Sequence, residues 1–290
     1  MISQAELTIV IPALNEAESI GHVLGELRSH MPQTAILLID DGSRDATAAH
    51  AQAVAGVRVI RHPINKGNGA CIKTALKHVD TPYMCVVDAD GQHDSRYIAQ
   101  LMAQLPECDL VIGARSSPSQ QRNIVRALGN WLLRKIASSL THEDIPDLTS
   151  GFRMFKRDVV AQFSHIYPDG FSFPTTSTIA CMTNGYIVRF VPVLMPPRMA
   201  GDSKIRVWKD GYRFIKLIIR MISIFAPSRL MYPLSLLCFV AGISYTVFHC
   251  LYIEFKIPGG SILSLILAVN FFCFGMVMDQ VASLRVHLRR

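Results

Sequence analysis

Residues 83–94 read YMCVVDADGQHD. The run Tyr83–Asp88 is almost wholly apolar, which marks a buried strand, and it ends on Asp88, with Asp90 and Gln92 spaced two apart after it. An uncompensated carboxylate at the end of a buried strand is costly. The pattern therefore asks for a metal ion, a polar ligand or an N-cap for the next helix. Asp94 alone would supply the cap, and Asp88 and Asp90 would remain unexplained.

The same rhythm recurs on the N-terminal side and just beyond. Leu7–Ile11, Ala35–Asp40, Val57–Arg61 and Asp109–Gly113 read as further strands; Glu16–His30, Asp45–Val54, Asn68–His78 and Ser95–Leu105 read as amphipathic helices. Strands alternating with helices predict an α/β fold with a mostly parallel, Rossmann-like sheet. Such sheets bind ligands where the strands stop. The first strand stops at Pro12-Ala-Leu-Asn15-Glu16, where Asn15 and Glu18 fit a capping box and Glu16 does not take part. The second stops at Asp40-Asp41-Gly42-Ser43; a turn with Ser43 as helix cap accounts for Gly42 and Ser43 but not for two adjacent acids. The third runs into Asn65-Lys66-Gly67-Asn68-Gly69, only faintly like a phosphate loop, with neither G-x-x-x-x-G-K-[ST] nor G-x-G-x-x-G. Acids at three strand ends of one sheet make an acidic crevice suited to ribose hydroxyls and a divalent cation. Oxygen donors such as Asp88, Asp90 and Gln92 suit Mg²⁺ or Mn²⁺ and not zinc.

Beyond residue 229 the character changes. Leu230–Ile253 and Ile257–Met278 contain no charged residue, and each is near or above the ~20 residues that cross a bilayer as a helix. Helix breakers in the turn 254–260 separate them. The turn carries only Lys256, whereas Arg229, Arg285, Arg289 and Arg290 lie on the other side, so both ends of the hairpin are expected in the cytoplasm. The N-terminus has no basic n-region or long apolar h-region, and the expected location is a multi-pass protein of the inner membrane with its soluble domain cytoplasmic. Lys209, Arg213, Lys216 and Arg220 recur at helical spacing opposite Phe214, Leu217, Ile218 and Met221, the pattern of an amphipathic helix lying in the membrane interface. The predicted organisation is a domain over 1–203, an interface helix over 204–229, and two spans (about 230–253 and 257–280) within 230–290.

The formal net charge of +7 comes largely from clusters that flank the apolar tail. That distribution fits anionic lipid headgroups; a nucleic-acid binder would interleave basic and aromatic residues on the soluble domain, so no nucleic-acid partner is expected. Seven cysteines without paired spacing read as reduced, buried thiols.

Taken in order, PALNE, DDGS, NKGNG, DADGQ, GAR (113–115) and DLTSGFR (147–153) resemble family 2 glycosyltransferases of the GT-A fold. Within that family, DADGQ, TSGFR and RMAGDSKIR (198–206) are similar to the polyprenyl-phosphate glycosyltransferases and dolichol-phosphate mannose synthases. The Q-x-x-R-W string of the processive synthases does not occur, and SSPSQQR (116–122) departs from the pattern that often follows GAR. The resemblance implies inverting transfer of one sugar from a UDP- or GDP-linked donor to a polyprenyl phosphate, with undecaprenyl phosphate favoured by the two-span tail. It implies that Pro12, Asn15, Glu16 and Asp40 hold the nucleotide, with Asp41 and Lys66 beside them, and that Asp88, Asp90 and Gln92 hold the metal. Arg115, helped by Arg126, would meet the acceptor phosphate; Ser150 and Arg153 would shape the junction of sugar and acceptor, with a structural ion pair as the other reading of Arg153. Arg198, Ser203 and Lys204 would close over the leaving diphosphate. Family analogy also suggests a homotetramer. Two other readings stay open: transfer to a protein or glycan hydroxyl, for which Asp147 is the candidate base, and a non-catalytic module that binds nucleotide sugar.

Overall fold

A computed structural model describes residues 2–116, 124–170, 172–195 and 207–287, and only the backbone of 124–128, 130, 207–215 and 285–287. The chain divides into two compact units, 1–212 and 213–290.

In the first unit, the chain runs β1 (Leu7–Ala13), α1 (Ile20–His30), β2 (Ala35–Asp40), α2 (Thr47–Gln52), β3 (Val57–Arg61), α3 (Asn68–His78), β4 (Tyr83–Val86), α4 (Tyr97–Gln104) and β5 (Leu110–Arg115). It continues through α5 (Ile124–Thr141), β6 (Arg153–Lys156), α6 (Arg157–Gln162), α7 (Phe173–Thr183) and β7 (Val188–Val193). One seven-stranded sheet has the order β3-β2-β1-β4-β6-β5-β7. β6 is antiparallel to β4 and β5, and the remaining pairs are parallel. This is the GT-A form of the Rossmann-like sheet. β1 sits inside it, and Leu7–Ile11 are buried on both faces, which is why that strand reads as a continuous apolar run. Its Leu7, Ile9 and Ile11 join Leu24 and Leu27 of α1 and Ile98 and Leu101 of α4 in the main core.

β2, β3 and α3 have the bounds expected from the sequence. The first helix does not. It starts at Ile20, not Glu16, because Asn15 has φ +55° and residues 15–19 turn before the helix begins. The Asn15–Glu18 capping box is therefore absent: the Asn15 carboxamide oxygen accepts instead from the Arg44 amide at 2.9 Å. Ser43 does not cap α2 either; the N-cap is Ala46, and the Asp45 carboxylate before it accepts from the Thr47 amide at 3.0 Å.

In the second unit, α9 (Ser228–Tyr252) and α10 (Gly259–His287) follow α8 (Val207–Phe225), whose range includes the boundary between the units. Ser228–Tyr252 and Gly259–Leu284 are long and apolar enough to cross a membrane, and little of either is buried within the protein. Small residues let α9 and α10 approach closely. A Cβ on Gly242 would lie 3.2 Å from the Ser264 side chain, and one on Gly275 would lie 2.7 Å from the Tyr232 ring. Tyr232 stacks on Phe272 with centroids 5.4 Å apart, and Ser235 donates to the Ala268 carbonyl at 2.7 Å. Near the charged end of the hairpin Asp279 accepts the Ser228 amide at 3.1 Å, satisfying one donor of the first turn of α9. In α8, Leu217 and Met221 are buried and Ile219 is exposed; the side chains of Lys209 and Arg213 lie outside the described residues.

Candidate active site

The ends of β1, β2, β4 and β5 and the start of the antiparallel β6 share one edge of the sheet. Side chains stitch the loops of this edge together. The Asn15 amide donates to Ser43 Oγ at 2.9 Å, the Glu16 amide to Thr47 Oγ1 at 2.8 Å, and the Ala17 amide to Asp45 at 3.1 Å. Ser19 Oγ reaches the Ala89 carbonyl at 2.7 Å and Glu16 Oε2 at 3.0 Å, tying the turn after β1 to the end of β4. Pro12 is the penultimate residue of β1, half-buried opposite Ile39.

At the end of β2 the two acids are satisfied to different degrees, since one oxygen of Asp40 is buried without a hydrogen bond among the described residues. Asp40 is fully buried; its Oδ1 accepts the Ser43 amide at 2.9 Å and its Oδ2 lies 3.0 Å from Nε of the exposed Arg61. Asp41 accepts from His62 Nδ1 at 2.8 Å, from the Lys66 amide at 2.9 Å and from the Gly67 amide at 2.7 Å. Asp41 thus holds the 65–69 loop in place, a structural role where the sequence suggested a ligand contact. That loop is not a phosphate cradle. The Gly69 and Ala70 amides donate to the carbonyls of Gly170 and Asp169, and a Cβ on Gly69 would collide with the Pro168 carbonyl oxygen. Asp41, His62 and Cys71 bring three donor atoms within 4.8 Å of one another, all buried. His62 Nε2 is held by Thr74 at 2.9 Å, and burial, followed by the nearby Asp41 charge, pushes the Cys71 thiol up. A hydrogen-bonded knot with a protonated thiol is a poor fit to a metal ion. An open cleft of about 540 Å³, lined by residues 42–44 and 61–65, lies beside this knot. The Lys66 side chain is exposed.

At the end of β4 the acids have a different setting. The Asp88 side chain retains 38% of its exposure, and Asp90 is buried, with its Oδ1 accepting the Gln92 amide at 3.1 Å. A Cβ on Gly151 would lie 2.7 Å from the Asp88 carboxylate, so only glycine lets the backbone come this close to it. His93, which the sequence reading did not single out, is buried here. Its Nδ1 accepts the Asp88 amide at 2.9 Å, its Nε2 lies 3.4 Å from Asp88 Oδ2, and its ring stacks on Phe152 with centroids 4.9 Å apart. The oxygen donors of Asp88 and Asp90, with Asp88 partly open, fit a hard divalent cation.

Arg115 closes β5. Its Nε and Nη2 donate to the two Asp147 oxygens at 2.7 and 2.9 Å, and Nη2 also reaches Thr149 Oγ1 at 2.6 Å. Burial works against the Asp147 carboxylate, but the Arg115 hydrogen bonds and charge outweigh it and hold the carboxyl below its ordinary range. The same bonds raise Arg115. Nη1 of Arg115 makes no hydrogen bond among the described residues. Ser150 donates to the Gly113 carbonyl at 2.6 Å. Arg153 departs from both expectations. It is fully buried, and its guanidinium donates to the carbonyls of Ser150 and Pro174 and to the hydroxyls of Ser177 and Thr178, with no carboxylate among those acceptors. Burial first of all draws its pKa down to about 10. Arg153 braces α7 against the sheet and does not line the open edge. The Arg126 side chain and residues Arg198, Ser203 and Lys204 lie outside the described residues.

Comparison with known proteins finds matches in both parts of the chain. The model of "Glycosyl transferase family 2" matches residues 8–163, and that of the "GtrB C-terminal hairpin" matches 226–284. The polyprenol monophosphomannose synthase of Mycolicibacterium smegmatis is 30% identical over 68% of this chain and 79% of its own length. The undecaprenyl-phosphate mannosyltransferase of Micrococcus luteus is 28% identical over 67% and 85%. Among solved structures, glucosyl-3-phosphoglycerate synthase from Mycobacterium tuberculosis, in complex with Mn²⁺, UDP and phosphoglyceric acid, superposes with a TM-score of 0.60 at 18% identity, covering 75% of this chain and 77% of that one. At that identity the likeness speaks for the fold.

Proposed function

The chain belongs to glycosyl transferase family 2, and from that premise we propose that it transfers one sugar, with inversion, from a nucleoside diphosphate sugar to a polyprenyl phosphate at the cytoplasmic face of the inner membrane. The observation that carries the acceptor is the Arg115–Asp147 pair. Transfer to a hydroxyl calls for a general base with a pKa near the working pH. Asp147, the one base that the sequence offered, is locked by a bidentate arginine and held low. A polyprenyl monophosphate needs no base, because its second pKa of about 6 leaves it largely dianionic at neutral pH. The names of the relatives, with mannosyl transfer to polyprenol and undecaprenyl phosphates, support the same acceptor.

In this reading, Asp88, Asp90 and Gln92 hold a Mg²⁺ or Mn²⁺ ion, which when bound offsets charge on the nucleoside diphosphate. Pro12, Asn15, Glu16 and Asp40 hold the nucleoside along the cleft by residues 42–44 and 61–65, where a base reaching Asp40 meets Arg61 first. The exposed Lys66, together with Arg198, Ser203 and Lys204, attends the diphosphate. Arg115 presents Nη1 to the acceptor phosphate, with Arg126 on the following helix. Residues 1–203 form the transferase domain, 204–229 an interface helix, and α9 and α10 a membrane hairpin with both ends cytoplasmic.

The test is to incubate detergent-purified protein with undecaprenyl phosphate, Mn²⁺ or Mg²⁺ and a panel of UDP- and GDP-sugars. The readouts are released nucleoside diphosphate and the lipid product by mass spectrometry. Release that requires both metal and lipid phosphate is expected. Equal release with hydroxyl acceptors in place of the lipid would overturn the proposal.

A further inference from the structure

We infer that His93 is a positioning residue, which aims the Asp88 carboxylate at the cation site. The inference rests on the metal role proposed for Asp88 and Asp90. The His93 ring is pinned in two ways that fix its orientation. Nδ1 accepts the Asp88 backbone amide at 2.9 Å, and the ring face lies on Phe152 at 4.9 Å with an interplanar angle of 21°. A nitrogen that accepts an amide hydrogen carries no proton, so the ring hydrogen sits on Nε2. Nε2 lies 3.4 Å from Asp88 Oδ2, a polar contact without hydrogen-bond geometry, so its N–H edge is the group that faces the carboxylate. One imidazole therefore bonds to the backbone of Asp88 and sets its Nε2 edge beside the side chain of the same aspartate, which restricts where the carboxylate can turn. On the far flank Gly151 supplies no side chain, so a Cβ there would press on the same carboxylate. Groups that hold a ligating carboxylate in this way affect metal affinity about tenfold to hundredfold.

The two nitrogens can be separated by substitution. His93→Asn places a carboxamide oxygen where Nδ1 stands and keeps the amide acceptor while losing the Nε2 donor. His93→Gln places an amide nitrogen where Nε2 stands and loses the amide acceptor. Mn²⁺ binding to the full chain in detergent, read by the electron paramagnetic resonance of free Mn²⁺ in the presence of UDP and separately of GDP, is measured for both variants. Thermal melting is measured alongside. His93→Asn is expected to melt like the unmutated protein and to bind Mn²⁺ at least about tenfold more weakly. His93→Gln is expected to melt lower while keeping more of the affinity. Asp90→Asn, measured in parallel, separates the two levels of the argument. If Asp90→Asn loses Mn²⁺ and His93→Asn binds it like the unmutated protein, the role of His93 is overturned. If Asp90→Asn still binds Mn²⁺ normally, the metal site itself is overturned and the inference with it. The unmutated protein gives a check that needs no variant: ¹⁵N shifts of labelled histidine should show His93 with its proton on Nε2, and a proton on Nδ1 would contradict the inference.

Discussion

Asp40 and Asp41 close β2, and Asp88 and Asp90 close β4, on one edge of one sheet. In the sequence the two pairs look alike, each an apolar run stopping on acids. In the fold, the oxygens of Asp40 and Asp41 face Ser43, Arg61, His62, Lys66 and Gly67. Asp88 has a half-open carboxylate, one imidazole behind it and a bare glycine beside it. The lesson is that an acid at a strand end acquires its role from the number of protein donors that reach it. Where the protein supplies them, the acid holds loops together; where it leaves room, a cation can complete the shell.

The contrast can be broken most forcefully at the open pair. Asp90→Asn should cut turnover by at least about a hundredfold, the scale for losing one group aimed at charge in a transition state, with melting temperature unchanged. Retained turnover in a folded variant would place the chemistry elsewhere. At the closed pair the effect should appear in stability. Asp41→Ala strips three donors of their acceptor and should cost about 3 kcal/mol, seen as a lower melting temperature; an unchanged melt would show that the knot is dispensable. A smaller effect should come from Gly151→Ala, whose new Cβ must push the Asp88 carboxylate aside. It should raise the Mn²⁺ needed for half-maximal turnover severalfold while leaving the melt close to normal. Equal Mn²⁺ dependence would mean that Asp88 has no fixed position to lose.

The last contrast concerns Asp147, a carboxylate occupied by an arginine. Its carboxyl is held below the ordinary value of 3.8. A lowered carboxylate contributes stability that is present above its unfolded pKa and lost as pH falls through the folded one. The unmutated protein should therefore lose stability on acidification below about pH 4, and Asp147→Asn should lack that component of the slope. Identical acid profiles would contradict the pairing.

Much of this was legible in the chain. The sequence bounds of β2, β3 and α3 match the structure to the residue because they follow apolar runs and a glycine turn, features that act locally. β6, β7, α6 and α7 were not anticipated. β6 is four residues long and lies antiparallel between β4 and β5, and α7 hides its Thr and Ser residues, returning Ser177 and Thr178 hydroxyls to the Pro174 carbonyl. Neither has a periodic apolar signature. The site was half legible. Residue type placed acids at the sheet edge but could not count the partners of Asp41 or see that Arg153 is buried, since both depend on loops and helices distant in sequence. His93 was within reach of reading: a histidine five residues after a strand-end aspartate, in a turn tight enough to return to its backbone.

The central claim, that the β4 end receives the cation and Asp41 at the β2 end holds the fold, is tested most directly by anomalous scattering from crystals grown with Mn²⁺ and UDP, or with Mn²⁺ and GDP. A manganese peak is expected against Asp88 and Asp90. A peak at Asp41, His62 and Cys71, or bound nucleotide with no manganese beside Asp88 and Asp90, would contradict it.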